Sequence, residues 1–419
     1  MKLLLLILTA SVTVNAQLLK GASLVLDHVN IIDMIRAEPK MDMTVIIDGD
    51  QIVQIRKSRN EQFSPSDKII NGSEKFLIPG LWDMHVHLSY YGETAFHKTV
   101  AHGVLGVRDC GGKLSEIDSW RREIEEGERI GPTILRSGSF LDGPKEMSEL
   151  RKGFTEIITS KPHALALVKS HNAQGVDFLK VHSRLEREYF FTIAENAKAL
   201  GIPLVAHVPQ YVTALEASEA GVVSIEHAES FLGASLYVEP ESELIKAIDA
   251  AFAKLNGPYG KTLYKQIAEN GTWVDPTLIS LVRTFEGTDS SWEKNLPIKL
   301  LDVIRGLHEA GVRMVAGSDF AFTDGKIRPG WDLHGELENF VDIGMTPYEA
   351  LQTATSNPPE LLGLSEKWGT IEERKLANLV LLDANPLENI SNTRTISAVI
   401  LKGKYFNLEK LLELGLKKE

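Results

Sequence analysis

The chain predicts an α/β protein: a (β/α)8 TIM-like barrel carrying a small β-sandwich domain built from both chain ends. Three observations carry this expectation. Apolar, strand-like runs recur through the middle of the chain, each followed by a helical stretch, as in a parallel sheet covered by helices. Eight of these runs fall within roughly 290 residues, the usual size of such a barrel. At both ends, by contrast, short strand-like runs are separated by turn signals and no helical period appears.

From the start, Met1-Lys2 precedes an apolar run, Leu3-Leu4-Leu5-Leu6-Ile7-Leu8, and Val14-Asn15-Ala16 places small residues where a signal peptidase cuts. Residues 1–16 therefore read as a secretory signal peptide, too short to span a membrane. The expected location is outside the cytoplasm, with a bacterial periplasm as the compartment. No cysteine follows the cleavage site, which speaks against a lipid anchor. Cys110 is the single cysteine, so no intrachain disulfide can form and stability must come from the core and any bound metal. A net charge of −12 argues against broad nucleic-acid binding and attraction to anionic membranes. A small-molecule substrate is the expected partner, and self-association is compatible with the sequence.

Residues 17–76 supply the first part of the sandwich, with Leu24-Val25-Leu26, Thr44-Val45-Ile46-Ile47 and Ile52-Val53-Gln54-Ile55 as strands. Asp48-Gly49-Asp50 is a hairpin turn between the last two. The barrel spans 77–365. After the strand that carries His85, its strands are expected at 104–109, 133–138, 178–182, 202–207, 222–227, 272–277 and 312–319. Helices are clearest at 186–200 and 212–220, stopped by Gly201 and Gly221. Residues 366–419 complete the sandwich through Asn378-Leu379-Val380-Leu381-Leu382 and Ala398-Val399-Ile400-Leu401. A doubly wound sheet is the structural alternative, but Gly106-Val107-Arg108-Asp109-Cys110-Gly111-Gly112 lacks the glycine spacing of a dinucleotide fingerprint.

The chemistry concentrates at strand ends, where barrel enzymes place their catalytic groups. In Trp82-Asp83-Met84-His85-Val86-His87, strand alternation puts His85 and His87 on one face, half of a metal site. Lys180 and His182 share a face in Leu179-Lys180-Val181-His182. A lysine buried there either pairs with a carboxylate or loses its charge, and a neutral amine can take up carbon dioxide as a carbamate. His207 and His227 each close a strand and, taken singly, would read as core histidines. Asp319 ends the last strand and alone would read as a helix N-cap. Their joint occurrence decides: two histidines on the first strand, lysine on the fourth, histidines on the fifth and sixth and aspartate on the eighth converge on one mouth. They would supply ligands for two metal ions.

On these residues the chain resembles the amidohydrolase superfamily, along almost the whole mature length. Leu77 to Leu88, Lys180, His207, Ile225-Glu226-His227 and Gly317-Ser318-Asp319 are similar to its binuclear-metal pattern. Within it, the chain resembles the imidazolonepropionase-related group that includes Xaa-Pro dipeptidases and ochratoxin-type amidases. Leu333-His334-Gly335-Glu336-Leu337 matches a motif of that group. The resemblance implies that His85, His87 and Asp319 hold one divalent ion and His207 and His227 the other, bridged by carboxylated Lys180 and a hydroxide. Zinc suits such donors, with manganese and cobalt as alternatives. It also implies a hydrolase that cleaves an amide bond in a dipeptide or N-acyl amino acid, with Asp319 as the catalytic proton carrier. His182 and His334 are candidate substrate contacts, and a packing role for each stays open. Two departures stand out: His182 occupies a position where the group often has an aromatic residue, and Lys180 argues against imidazolonepropionase activity itself. An esterase, lactonase or organophosphate hydrolase uses the same attack; a non-catalytic binding protein is a different class, opposed by the intact ligand set.

Overall fold

The computed structural model describes residues 23–144, 153–319 and 328–416, so the expected signal peptide lies outside the described residues. Strands β1 (Leu24–Ile31), β2 (Lys40–Asp48), β3 (Gln51–Lys57), β4 (Lys68–Asn71) and β5 (Phe76–Pro79) come first. The expected hairpin joins β2 and β3, pairing Asp48 with Gln51 across Gly49-Asp50, with Gly49 in the left-handed region at φ +59°. Next come β6 (Leu81–Val86), β7 (Val104–Asp109), β8 (Thr133–Arg136), β9 (Phe140–Asp142), β10 (Thr155–Ile157), β11 (Leu179–Val181), β12 (Leu204–His207), β13 (Ser224–Glu226) and β14 (Trp273–Asp275). The chain then returns through β15 (Leu379–Leu382), β16 (Ile396–Leu401) and β17 (Lys404–Asn407) to a last helix, Leu408–Leu416.

Both chain ends enter a single sheet in the order β17-β16-β15-β5-β1-β2-β3, with β4 also paired to β1. The seam is β5, antiparallel to β15 and parallel to β1. Because one strand serves both ends, their hydrogen bonding is continuous. This shared sheet does not by itself confirm the expected sandwich. One face of this sheet has its own apolar core, including Leu26, Ile31, Val45, Ile47, Leu77, Leu379, Leu381 and Ile400. The chain passes from this sheet to the next at Gly80, whose N–H donates to Asn378 O at 2.8 Å.

Every residue of β6, β7, β11, β13 and β14 is buried, which explains why these strands read as nearly unbroken apolar runs. Helices cover them. Arg187–Leu200 ends on Gly201, left-handed at φ 70°, and Ala214–Glu219 begins with a capping box between Thr213 and Glu216.

The strands lie parallel, but in two ladders, β6-β7-β8 and β10-β9-β11-β12-β13-β14, rather than in one closed ring of eight. The first interruption closes the third expected strand, 133–138. Gly138, at φ +72°, turns the backbone between β8 and β9, so the two strands bond in different ladders. A backbone bond from Asp177 N–H to Arg136 O at 3.0 Å bridges them.

The second interruption is the eighth run, 312–319, which makes one isolated bridge, Met314 to Val274. Val315 N–H donates to Val274 O at 3.1 Å beside that bridge, but Ala316 N–H goes to Thr353 O at 3.0 Å and Ser318 N–H to Asp83 Oδ1 at 2.8 Å. It still touches the first strand, through Met84 N–H to Ala316 O at 2.9 Å and Asp319 N–H to His85 O at 2.8 Å. That second contact places Asp319 beside the histidines.

Candidate metal centre

Six side chains meet where these strands end. β6 delivers His85 buried and His87 half-buried, with ring centroids 5.3 Å apart. His227, from the end of β13, packs 4.7 Å from His85 and 4.6 Å from His207 at the end of β12. His182 stacks 4.7 Å from His207 and 4.8 Å from Phe140, so the aromatic row continues to the rim. Asp319 faces the row: Oδ1 is 3.9 Å from His85 Nε2 and 3.6 Å from His87 Nε2, and Oδ2 is 3.8 Å from His227 Nδ1.

The ring tautomers follow from the partners. His87 Nδ1 lies 3.0 Å from Gly111 O, and a carbonyl can only accept, so Nδ1 carries the proton and Nε2 is left with its lone pair. His85 Nδ1 donates to Glu226 Oε2 at 2.8 Å with the same result. Burial foremost, and the nearby cationic groups after it, hold His85 and His227 well below the ordinary imidazole range. Both are therefore neutral, the state in which imidazole binds metal.

Three residues here have left-handed backbone: His227 at φ 68°, Thr277 at φ 47° and Asp319 at φ 38°. Such strain costs about 1–3 kcal/mol per residue and gathers at functional sites. Thr277 is tied to its neighbour by a 2.8 Å bond between Oγ1 and His227 Nδ1. Gly317 allows the eighth run to approach: a Cβ there would meet Asp275 Oδ2 at 2.4 Å and His85 Cβ at 2.6 Å.

The donor set fits metal ions. One ligand atom from each of His85, His87 and Asp319 lies within 4.8 Å of the others. Beneath them Lys180 is 1% exposed, and among the described residues its Nζ has no hydrogen-bond partner. The nearest carboxylate oxygen, Glu226 Oε2, is 4.0 Å away. Buried polar atoms are almost always satisfied, so an amine held this way points to a role other than packing. A second cluster of His85, Cys110 and Glu226 fits a metal poorly. Its carboxylate already bonds His85 and Arg108, and burial pushes the Cys110 thiol up, away from the thiolate a metal would need.

The pattern of the Amidohydrolase family matches residues 76–405. The chain belongs to the amidohydrolase family. As a member it is a metal-dependent hydrolase. The amidohydrolase is 25% identical over 372 residues to an ochratoxinase of Aspergillus niger, covering 79% of this chain and 75% of that protein. It is 24% identical over 376 residues to an imidazolonepropionase of Flavobacterium johnsoniae, covering 80% and 84%. The crystal structure of a Xaa-Pro dipeptidase superposes with a TM-score of 0.73 at 21% identity, covering 92% of this chain and 100% of the other. The amidohydrolase fold is thus of the TIM-barrel type.

Of the residues expected from the sequence, the structure brings His85, His87, Lys180, His182, His207, His227 and Asp319 to one place. His182 sits at its rim, with Nδ1 3.3 Å from Asp142 Oδ2. His334 is not brought there. It is fully buried on the helix Trp331–Asp342, with Nδ1 2.9 Å from Thr393 Oγ1 and Nε2 donating to His102 O at 3.1 Å. Both nitrogens are engaged within the protein, which fits the packing role that the sequence left open beside substrate contact. Glu336 of the same motif is structural too, accepting from the first N–H groups of the helix Leu278–Thr284 at Leu278 (3.0 Å) and Ile279 (2.8 Å).

Sequence reasoning passed over Arg108, Asp275 and Asp83, and quoted Glu226 only within a motif. The available signal was a charge inside an otherwise apolar strand, as in Val104-Leu105-Gly106-Val107-Arg108.

The His334 assignment has a pH consequence. Burial foremost holds His334 down to about 3 and His102 down to about 4, from an ordinary 6.5. The unfolded chain takes up protons as pH falls through 6.5, while the folded protein does not. Stability from these groups is therefore complete above about pH 6.5 and drains away as pH drops toward 4. His334→Gln is expected to flatten the acid limb of Tm against pH and leave KM unchanged. A raised KM with an unaltered Tm profile would return His334 to the substrate.

Proposed function

We propose that this amidohydrolase is an exported enzyme that cleaves the amide bond of a dipeptide or an N-acyl amino acid. The observation that carries this reading is the convergence of four histidines and Asp319 above a buried Lys180 whose Nζ makes no hydrogen bond among the described residues. His85, His87 and Asp319 would hold one divalent ion and His207 and His227 a second, with Lys180 as a bridging carbamate; zinc fits these donors best. Bound there, the ions would lower the pKa of a water and polarise the scissile carbonyl.

The chain's own residues account for the rest of the turnover. The Asp319 carboxylate, facing three imidazoles, takes the proton from the attacking water and returns it to the leaving nitrogen. The Nδ1 contacts of His85, His87 and His227 keep their rings from turning. His182, between Phe140 and His207, is the substrate contact at the rim. Likeness to an ochratoxinase and to a Xaa-Pro dipeptidase supports an amide substrate.

Purified protein is expected to hold about two divalent ions per chain, and a chelator should abolish activity until zinc is returned. Elemental analysis finding at most one ion in fully active enzyme would overturn the binuclear assignment. The substrate class is tested by screening the zinc-loaded enzyme on dipeptides, N-acyl amino acids and lactones; turnover of lactones alone would replace the amide reading. Export rests on Lys2 and the apolar run to Leu8 followed by Val14-Asn15-Ala16. N-terminal sequencing of the mature protein should begin at Gln17, and finding Met1 would defeat it.

A further inference from the structure

We propose that Arg108 is a positioning residue that aims His85 at the metal through Glu226, taking His85 as a ligand as read above. Arg108 lies on β7 and is 1% exposed. Its Nε donates to Met84 O at 2.6 Å, and Nη1 to Ser224 Oγ at 3.1 Å. Its Nη2 reaches Glu226 Oε1 at 2.8 Å, Glu226 Oε2 at 2.7 Å and Asp275 Oδ2 at 3.3 Å. The guanidinium thus ties three strands, β6, β13 and β14, to a fourth.

Two of these contacts act on His85. Met84 is its neighbour in the chain, so the Nε bond holds the β6 backbone from which the imidazole springs. Glu226 Oε2 accepts from His85 Nδ1 at 2.8 Å, so a carboxylate clamped by Arg108 sets how the ring lies. With Nδ1 occupied, Nε2 is the nitrogen turned toward Asp319. Carboxylates behind metal-binding histidines orient the ring in this manner, and altering them weakens metal binding.

Arg108 has a second effect on the same carboxylate. Lys180 Nζ is 4.0 Å from Glu226 Oε2, while Arg108 holds that oxygen at 2.7 Å. Two basic side chains thus flank one carboxylate, and the arginine has it. If Glu226 turned to Lys180, it would leave His85 and draw the lysine nitrogen away from the cluster in one movement. Arginine suits this task because its planar fork serves several acceptors at once, which a single ammonium cannot.

The test is a set of variants, each measured for folding by circular dichroism and for zinc affinity by competition with a chromophoric chelator. The absorption spectrum of the cobalt-substituted protein and the split of kcat from KM complete the readouts. Arg108→Met alone would strand two buried carboxylates and is expected to misfold. The set is therefore Arg108→Lys, Glu226→Gln and the double variant Arg108→Met/Glu226→Gln. Arg108→Lys and Glu226→Gln are each expected to fold, to weaken zinc binding by about 10- to 100-fold and to alter the cobalt spectrum. The double variant should bind zinc within about twofold of Glu226→Gln, because Arg108 acts through Glu226.

Arg108→Lys with a lowered Tm but wild-type zinc affinity and cobalt spectrum would make Arg108 merely structural. Losses that multiply in the double variant would equally overturn the proposal; should that variant not fold, the two single variants decide. A separate control distinguishes failure of the metal reading itself: if His85→Ala binds zinc as tightly as wild type, His85 is no ligand and the positioning role falls with it.

Discussion

Lys180→Ala is expected to fold, to lose bound metal and to lose more than about a hundredfold in turnover. That exceeds the effect of residues behind the ligands, because here a ligand itself is removed. The side chain is fully enclosed, so no other group from solvent stands ready to replace it. Lys180→Arg should fail as well, since guanidinium stays protonated and cannot form a carbamate. A short carboxylic acid added to Lys180→Ala should restore part of the activity by supplying the missing anion. A companion variant separates function from folding. Lys180→Met keeps the aliphatic stem and deletes an amine that has no partner among the described residues. Without metal, it should be more stable than the metal-free wild type by about 1–3 kcal/mol, the cost of a buried unsatisfied polar group. Lys180→Ala with two ions and near-normal turnover would make the lysine structural and end the dipeptidase-like reading.

Asp319→Asn is expected to lose about 10²- to 10⁴-fold in kcat, the usual share of a positioned proton carrier, with KM little changed. Asparagine is the informative substitution because Asp319 stands at φ 38°, and asparagine tolerates the left-handed region as aspartate does. The fold and the bond from residue 319 N–H to His85 O should survive. At least one metal ion should remain, since His85, His87, His207 and His227 are untouched. Metal content and rate measured together distinguish the two variants: Lys180→Ala empties the site, Asp319→Asn silences it. Wild-type turnover in Asp319→Asn would remove Asp319 from the chemistry.

Local rules, applied to the sequence alone, carried far at this site. Strand alternation is a property of one backbone, so His85 and His87 could be assigned to one side from their spacing, as could Lys180 and His182. β7 occupies residues 104–109 as expected, because an apolar run fenced by glycines leaves few alternatives. Gly201 stops its helix for an equally local reason, the left-handed conformation that glycine adopts without a Cβ clash.

Tertiary structure alone decided matters that depend on partners distant in sequence. Arg108 meets Glu226 118 residues later and Asp275 167 residues later, and no periodicity encodes that encounter. The motif containing His334 and Glu336 looked functional in one dimension. In three it caps one helix and bonds Thr393 and His102 O, since what a histidine does depends on who occupies its two nitrogens. The eighth run is apolar enough to be a strand, yet Thr353 and Asp83 take the N–H groups of Ala316 and Ser318, and it makes an isolated bridge to Val274. Residue types and spacing therefore named the candidate ligands, whereas competition among acceptors for buried donors determined how those side chains are held.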